Sequence, residues 1–418
     1  MATHWLKIIK WLAAGSMTIL LTGCSNLKAQ KTLFITFSVG QRDFKVEQAR
    51  VRSVLDKYTE SFQRSNPEIR IVYITYTSSK FIDQIEKDSY LNLGPDLVVT
   101  NQYAASELLA RNLTEKLPGK KYFNAIYSTR IQSTVKENNQ YTFAPWLLNT
   151  QIACFNNKLV KESPDTIQEL EELSASGKKI GLSSELYELI WTAGAKGAIP
   201  EISSLGDETT SDPTYPAIRQ WMKWLQQAAL YQNIYFLENS RDLSKKLTNG
   251  ELDWVTCWGG QLEDLKKKMG SNLGVAALPD SATSRAFPTS EIYGFALGKN
   301  SSQAQREMAM KFIKTNVNTI AQRKLQLDDV GFLAANQNVS IPPQSSKKLA
   351  AINTSFNDQS NLYSKEWPGV VRWLLPEEDD LEKSMQRYSE LSSALTELTD
   401  GYLSINEAIK KITTTKEI

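Results

Sequence analysis

Histidine is almost missing from this sequence. One residue in 418 is a histidine, His4, and the segment around it carries the pattern of something removed during export. Lys7 and Lys10 precede an apolar run from Trp11 to Leu21, which closes on Leu21, Thr22, Gly23 and Cys24. A basic n-region, an apolar h-region and a small-residue ending are the parts of a secretory signal. The run is too short to span a bilayer, which takes about 20 apolar residues. Cleavage before Cys24 takes away two lysines and no acid, leaving 46 basic and 46 acidic side chains and no histidine. A Ser-His-Asp triad, a Cys-His pair and a His-liganded zinc site are then excluded, because each needs an imidazole. Carboxylate or lysine chemistry stays open.

Cysteine and excess charge are also scarce. The ending at Cys24 resembles a bacterial lipobox, whose cysteine is acylated and becomes the first mature residue, with Ser25 to Gln30 as a polar tether. The alternatives are an ordinary cleaved signal or an uncleaved anchor. Only Cys154 and Cys257 remain. An oxidising compartment permits a disulfide between them, but spacing alone does not show that their Cα atoms approach. Without histidines they make a poor metal site. A net charge of +2 lacks the basic excess that phosphate binding shows, which argues against nucleic acid.

The length predicts two or three domains, each with its own core. A strand over Leu33–Val39 is followed by a helix over Val46–Arg64, whose Val51, Val54, Leu55, Tyr58 and Phe62 share one face. Strand Arg70–Tyr76, helix Phe81–Tyr90 and strand Asp96–Thr100 continue an alternation typical of a doubly wound α/β sheet. Strands are expected at Gln151–Phe155, Lys179–Leu182, Leu252–Trp258 and Leu273–Leu278, and an amphipathic helix at Ala217–Leu230. Thr166 with Glu169, and Ser404 with Glu407, read as capping boxes. No GxGxxG or GxxxxGK follows the first strand, so no nucleotide cofactor is expected.

The order of several stretches resembles the extracellular solute-binding proteins of bacterial ABC importers, in the family that includes maltose-binding protein. They are YTESFQRSNP at Tyr58–Pro67, GPDLVVTNQYAASELLARNL at Gly94–Leu113, TFAPWLLNTQIACFNNKL at Thr142–Leu159 and NGELDWVTCW at Asn249–Trp258. Gly274–Pro279, Tyr293–Leu297, Gly331–Ala335 and the final helix extend the likeness over nearly all of the mature chain. It implies an α/β, two-lobe periplasmic-binding-protein fold with a hinged interlobe cleft. The expected boundaries are 1–23 signal, 24–30 lipidated cysteine and tether, 31–145 with 279–335 as the first lobe, and 146–278 with 336–418 as the second.

In such a protein the ligand site lies beyond the carboxyl ends of strands. Thr100, Asn101 and Tyr103 follow the strand from Asp96, in a loop where the family places ligand contacts; Asn101 is equally suited to capping the next helix. Trp146 follows Pro145 at the lobe crossing and either lines the cleft or packs the hinge, with the cleft favoured. Asn149 stands where the family often has a polar contact. Tyr187 and Tyr388 match aromatic positions that contact sugar in the family, and Trp258 sits near another. Gly259 and Gly260 replace a Gly-Pro-Trp-like sequence after it, so its ring has room to point elsewhere. Tyr293 completes the set. Gln41, Arg42 and Asp43 either bind hydroxyls or form a solvated turn. Trp191 lies in an apolar helix and reads as core. The acidic run Glu377–Asp380 lacks the spacing of a calcium loop and reads as a helix N-terminus; Lys266–Lys268 read as a solvated face.

The resemblance implies a monomeric, lipid-anchored, extracytoplasmic protein on the periplasmic or cell-surface side of a bacterial membrane. It would capture a sugar or polyol and deliver it to the transmembrane subunits of an ABC permease, without enzymatic chemistry, metal or cofactor. Two alternatives remain: a solute sensor for a membrane receptor, and a carboxylate-based glycoside hydrolase drawing on acids such as Glu185, Glu188 and Glu291, none of which the sequence marks as a pair.

Overall fold

The computed structural model describes residues 31–40, 44–206, 214–328, 331–341, 346–359, 363–374 and 381–414. The signal segment, Cys24 and its tether, Gln41 to Asp43 and the acidic run Glu377–Asp380 lie outside the described residues. Among the described residues no helix is long and apolar enough to cross a membrane, and no cluster of acids and cysteines is arranged to hold a metal.

The chain divides into two compact units, Met1–Val98 with Leu297–Phe312, and Val99–Ala296 with Ile313–Ile418. These divisions differ from the lobe boundaries expected above. In the first unit, β1 (Lys31–Val39) and β2 (Ile69–Thr77) pair in parallel, in register from Lys31 with Ile69 to Val39 with Thr77. Helix α1 (Phe44–Ser65) joins them, and α2 (Phe81–Tyr90) follows. Parallel neighbours need such a crossover, since a tight turn cannot reverse the chain twice. Alternation along β1 buries Leu33, Ile35, Phe37 and Val39, and α1 adds Leu55 and Phe62, whose ring meets Phe312 edge to face at 5.2 Å. The Gly-Pro-Asp stretch has a local structural role. Asp96 is buried, and its carboxylate accepts from the Phe34 amide at 2.8 Å and the Ser301 hydroxyl at 2.7 Å, so it anchors the chain between β1 and the Ser301 turn.

The strand β3 (Leu97–Asn101) leads into α3 (Gln102–Ala110), the first helix of the second unit. That unit is organised around β4 (Ala144–Asn156), thirteen residues of which twelve are buried. Unbroken burial along it, polar Asn149, Thr150 and Gln151 included, marks a strand covered on both faces. After α4 (Ile167–Ala175), β5 (Ile180–Ser183), the short α5 (Leu186–Leu189), α6 (Pro216–Leu230), β6 (Ile234–Leu237) and α7 (Ser240–Thr248) comes β7 (Trp254–Trp258). Strand β7 runs antiparallel to β4 and parallel to β5, which is parallel to β6. Strands β8 (Leu273–Ala276), β9 (Ser290–Gly298) and β10 (Leu333–Ala334) all add to β4 in antiparallel register. The long strand thus serves several partners along its length, where the sequence marked only Gln151–Phe155.

Helices α8 (Tyr363–Leu374), α9 (Leu381–Thr399) and α10 (Ile405–Thr413) complete the unit. The capping boxes expected at Thr166 with Glu169 and at Ser404 with Glu407 are both present. Helix α6 starts with Pro216 in its first turn and buries Ile218, Trp221, Met222 and Leu225, the face its spacing predicts. Trp191 is fully buried, as expected of a core residue, and Lys266 to Lys268 are exposed. Cys154 on β4 and Cys257 on β7 form a disulfide, with Cα atoms 5.9 Å apart. The pairing of Cys154 with Val255 and of Cys257 with Ile152 brings the two cysteines onto adjacent strands.

Candidate functional site

The candidate site grows from three pieces of the second unit: the turn Ser183–Leu189, the end of β7, and the start of β9. At the first, Glu185 caps α5, its carboxylate accepting from the Glu188 amide at 3.0 Å. Tyr187 is thereby held in a short helical turn and is tied at both ends. Its amide donates to the Tyr388 hydroxyl at 3.2 Å, and its own hydroxyl donates to the Ser290 carbonyl at 3.2 Å. Its ring stacks on Trp258 with centroids 6.1 Å apart and meets Tyr103 and Trp367 edge to face at 6.5 Å and 6.3 Å. Four aromatic side chains from distant parts of the chain therefore meet around one tyrosine. Such rings present apolar faces to the CH side of a sugar and, through tyrosine and tryptophan, polar tips to its hydroxyls.

The carboxylate of Glu188 holds this cluster together. It accepts from the indole nitrogen of Trp258 at 2.8 Å, from the Ser240 hydroxyl at 2.6 Å and from the Ser240 amide at 2.8 Å. The indole is oriented by this bond, and the N-terminus of α7 receives a negative charge where its dipole favours one. Gln261 closes the network, accepting from the Trp258 amide at 2.9 Å.

On β9, Glu291 accepts from the Tyr293 hydroxyl at 2.8 Å and from the Asn149 amide nitrogen at 3.4 Å. The Asn149 oxygen in turn accepts from the Gly260 amide at 3.0 Å. Gly259, directly after Trp258, answers a steric demand together with Gly331: a Cβ on Gly259 would lie 2.2 Å from the Gly331 carbonyl oxygen, and one on Gly331 would lie 2.0 Å from the Gly259 oxygen. Two backbones cross there at a distance only glycine permits. Burial pushes the Glu185 carboxyl up to about 7, with the Glu188 charge adding to the shift. Burial also raises Glu291, partly offset by its bonds to Tyr293 and Asn149 and reinforced by Glu188. Tyr293 is driven well above the usual phenol range by burial and then by Glu291.

The sequence candidates divide accordingly. Tyr103, Tyr187 and Trp258 share one ring cluster, with Tyr388 bonded to it; Asn149 and Tyr293 meet on Glu291. Trp258, 9% exposed, has the ring direction that Gly259 and Gly260 left open, facing Tyr187. Asn101 performs the capping alternative, its side chain accepting from the Ala104 amide at 3.0 Å, and Thr100 is buried beside it in β3. Trp146 departs from the favoured cleft position: its ring is 2% exposed and packs on Phe295 at 5.1 Å, as a core residue does. Sequence reasoning did not single out Trp367, Ser240 or Gln261, and it set the acids aside as unpaired. The eight tryptophans after residue 23 are all buried, so composition could not separate Trp258 and Trp367 from the core. Only their shared contact with Tyr187 does so.

Comparison with known proteins bears on the family and the fold. A sequence family described as bacterial extracellular solute-binding protein matches residues 57–353, more than half of the chain. No curated protein sequence matches. Among solved structures, the GacH receptor of Streptomyces glaucescens GLA.O, solved unliganded and with acarbose and an acarbose homolog, has a TM-score of 0.71 at 14% identity. The match covers 92% of this chain and 97% of that one. A cyclo/maltodextrin-binding protein complexed with maltotetraose gives 0.68 at 15% identity over 94% and 100% of the two chains. An ABC transporter solute-binding protein from Thermotoga lettingae TMO, bound with α-D-tagatose, gives 0.60 at 12% over 92% and 98%. At these identities the likeness shows the fold, which is the α/β fold of the two-lobe periplasmic binding proteins.

Proposed function

Because this chain belongs to the bacterial extracellular solute-binding proteins, we propose that it is the lipid-anchored binding component of an ABC importer, taking up a sugar or polyol and delivering it to the permease. The observation that carries the solute class is the ring cluster around Tyr187, bordered by the acceptors Glu188, Glu291 and Asn149. Flat apolar faces next to fixed hydrogen-bond acceptors suit a polyhydroxylated solute, whose CH faces stack and whose hydroxyls donate. Structural neighbours bound to maltotetraose, acarbose and tagatose support the same class. The lipid on Cys24, the lobe boundaries, capture between lobes and docking on permease subunits belong to this proposal and rest on the family and the lipobox. The ligand set comprises Tyr103, Tyr187, Trp258 and Tyr388, with Asn149 and Tyr293 on the polar side and Thr100 and Asn101 at its margin.

Binding shifts the population toward a closed form and leaves the bonds of the solute intact. The test is a thermal-shift screen against mono- and oligosaccharides, polyols, peptides and metal ions. A ligand that binds only the folded state adds about 2.7 kcal/mol of stability at a hundredfold excess over Kd. Stabilisation by a sugar or polyol is the expected result. Stabilisation by another class alone, or consumption of the sugar during incubation, overturns the assignment.

A further inference from the structure

We propose that the solute carries a positive charge, as a sugar or polyol bearing a protonated amine held between the Tyr187 ring cluster and the carboxylates of Glu185, Glu188 and Glu291. The inference rests on the binding role proposed above and narrows its solute. Three acids gather at the site, and each of the outer two interacts repulsively with Glu188. Among the described residues no lysine or arginine forms an ion pair with any of them. Desolvated like charges without a counter-charge oppose one another, and a cation between them removes that penalty.

The hydrogen-bond inventory points the same way. Both donors to Glu291 among the described residues, Tyr293 and Asn149, reach the same oxygen, Oε2, so Oε1 accepts from no described residue. Glu185 accepts from the amides of Glu188 and Tyr187 and has no cationic side chain as partner among the described residues. One oxygen of the half-buried Glu291 carboxylate thus awaits a donor. A hydroxyl brings one donor together with lone pairs that face negative charge, whereas an ammonium group brings three donors and no lone pair. The rings add to the preference, since faces of Tyr and Trp attract cations through their quadrupoles. Neutral sugars would use the ring faces and their hydroxyl donors without any charge pairing, and anionic sugars would be repelled by the same carboxylates.

The test uses the full chain and matched solutes: glucose, glucosamine, N-acetylglucosamine and glucuronate, and cellobiose with the glucosamine dimer and its N,N′-diacetyl form. Calorimetric titration is expected to show the amine at least tenfold tighter than its neutral and acetylated partners in one set, with glucuronate not binding. Glu291→Gln keeps the shape and a hydrogen-bonding oxygen but removes the charge, and should reduce that preference at least fivefold. Glu185→Gln serves the same purpose if the first variant melts early. An amine no tighter than the neutral partner in both sets, or a preference unchanged in both variants, overturns the inference. Neutral sugars binding equally well would leave the sugar-binding role standing. Tight binding by simple amines with no sugar or polyol bound would instead remove the sugar assignment.

Discussion

Trp146 and Trp258 have the same side chain and nearly the same burial, yet their neighbours give them different work. Trp146 lies on Phe295 within the packed interior of the second unit, so Trp146→Ala should cost about 3–5 kcal/mol of stability through lost burial and a cavity, with little change in affinity for the bound solute. Trp258 stacks on Tyr187 and bonds Glu188, so Trp258→Ala should weaken binding at least tenfold in calorimetric titration. Equal affinity losses in the two variants would put both rings in the same role. Asp96 poses a similar choice between binding and structure. Its carboxylate accepts from Phe34 and Ser301, and Asp96→Ala leaves each donor unpaired at about 1–3 kcal/mol apiece; a urea melt unchanged from wild type would show that the bonds contribute nothing. Sequence could nominate Tyr103, Tyr187, Tyr388 and Asn149 because a resemblance fixes their order along the chain. It could not rank Trp146 against Trp258, since ring direction follows from partners such as Glu188 and Phe295 that lie far away in sequence.

Elements whose signals are local were the ones that could be read directly. Thr166 and Ser404 start helices because each side chain and the glutamate three residues on satisfy amides that helix geometry leaves open. The limits of β4 were not local. Ala144 to Asn156 forms one strand because β7, β8, β9 and β10 each pair with part of it, and those partners come from later in the chain. Whether the two cysteines bond was undetermined for the same reason, since it depends on the β4–β7 register. The disulfide closes a loop of 103 residues, which in the chain-entropy picture corresponds to about 4.7 kcal/mol. It also fixes β7 one residue before Trp258. Reduction, or the Cys154→Ala/Cys257→Ala double variant, should therefore lower the denaturant midpoint substantially and weaken solute binding together. A midpoint unaffected by reduction would show that strand pairing alone holds β7.

For the whole molecule, the scarcity of histidine decides which groups can make stability depend on pH near neutrality. The one histidine precedes Cys24, so the body has none to titrate, and displaced carboxyls take over. Glu185 has its carboxyl raised from 4.5 to about 7, first by burial and then by Glu188, with bonds from the amides of Glu188 and Tyr187 partly offsetting the rise. Below the ordinary value the group is protonated whether the chain is folded or not, and it costs nothing. As pH rises, the unfolded chain releases the proton first, the folded state then binds more protons, and stability falls until the folded group also ionises near 7. The drop is at most about 3 kcal/mol for a shift of this size. Asp96 and Glu291, also raised by burial, add to it with the same sign. The surface acids Glu251 and Glu407 and the partly buried Glu397 are shifted downward by their hydrogen bonds, so their changes finish below this window. Denaturant melts of the solute-free chain should therefore show stability declining between about pH 5 and pH 7, and Glu185→Gln, which can still accept the Glu188 amide, should flatten the curve and melt higher than wild type at pH 7. A wild-type curve flat across that range, or a slope that survives in Glu185→Gln, would mean that this carboxyl does not carry its charge into the folded interior.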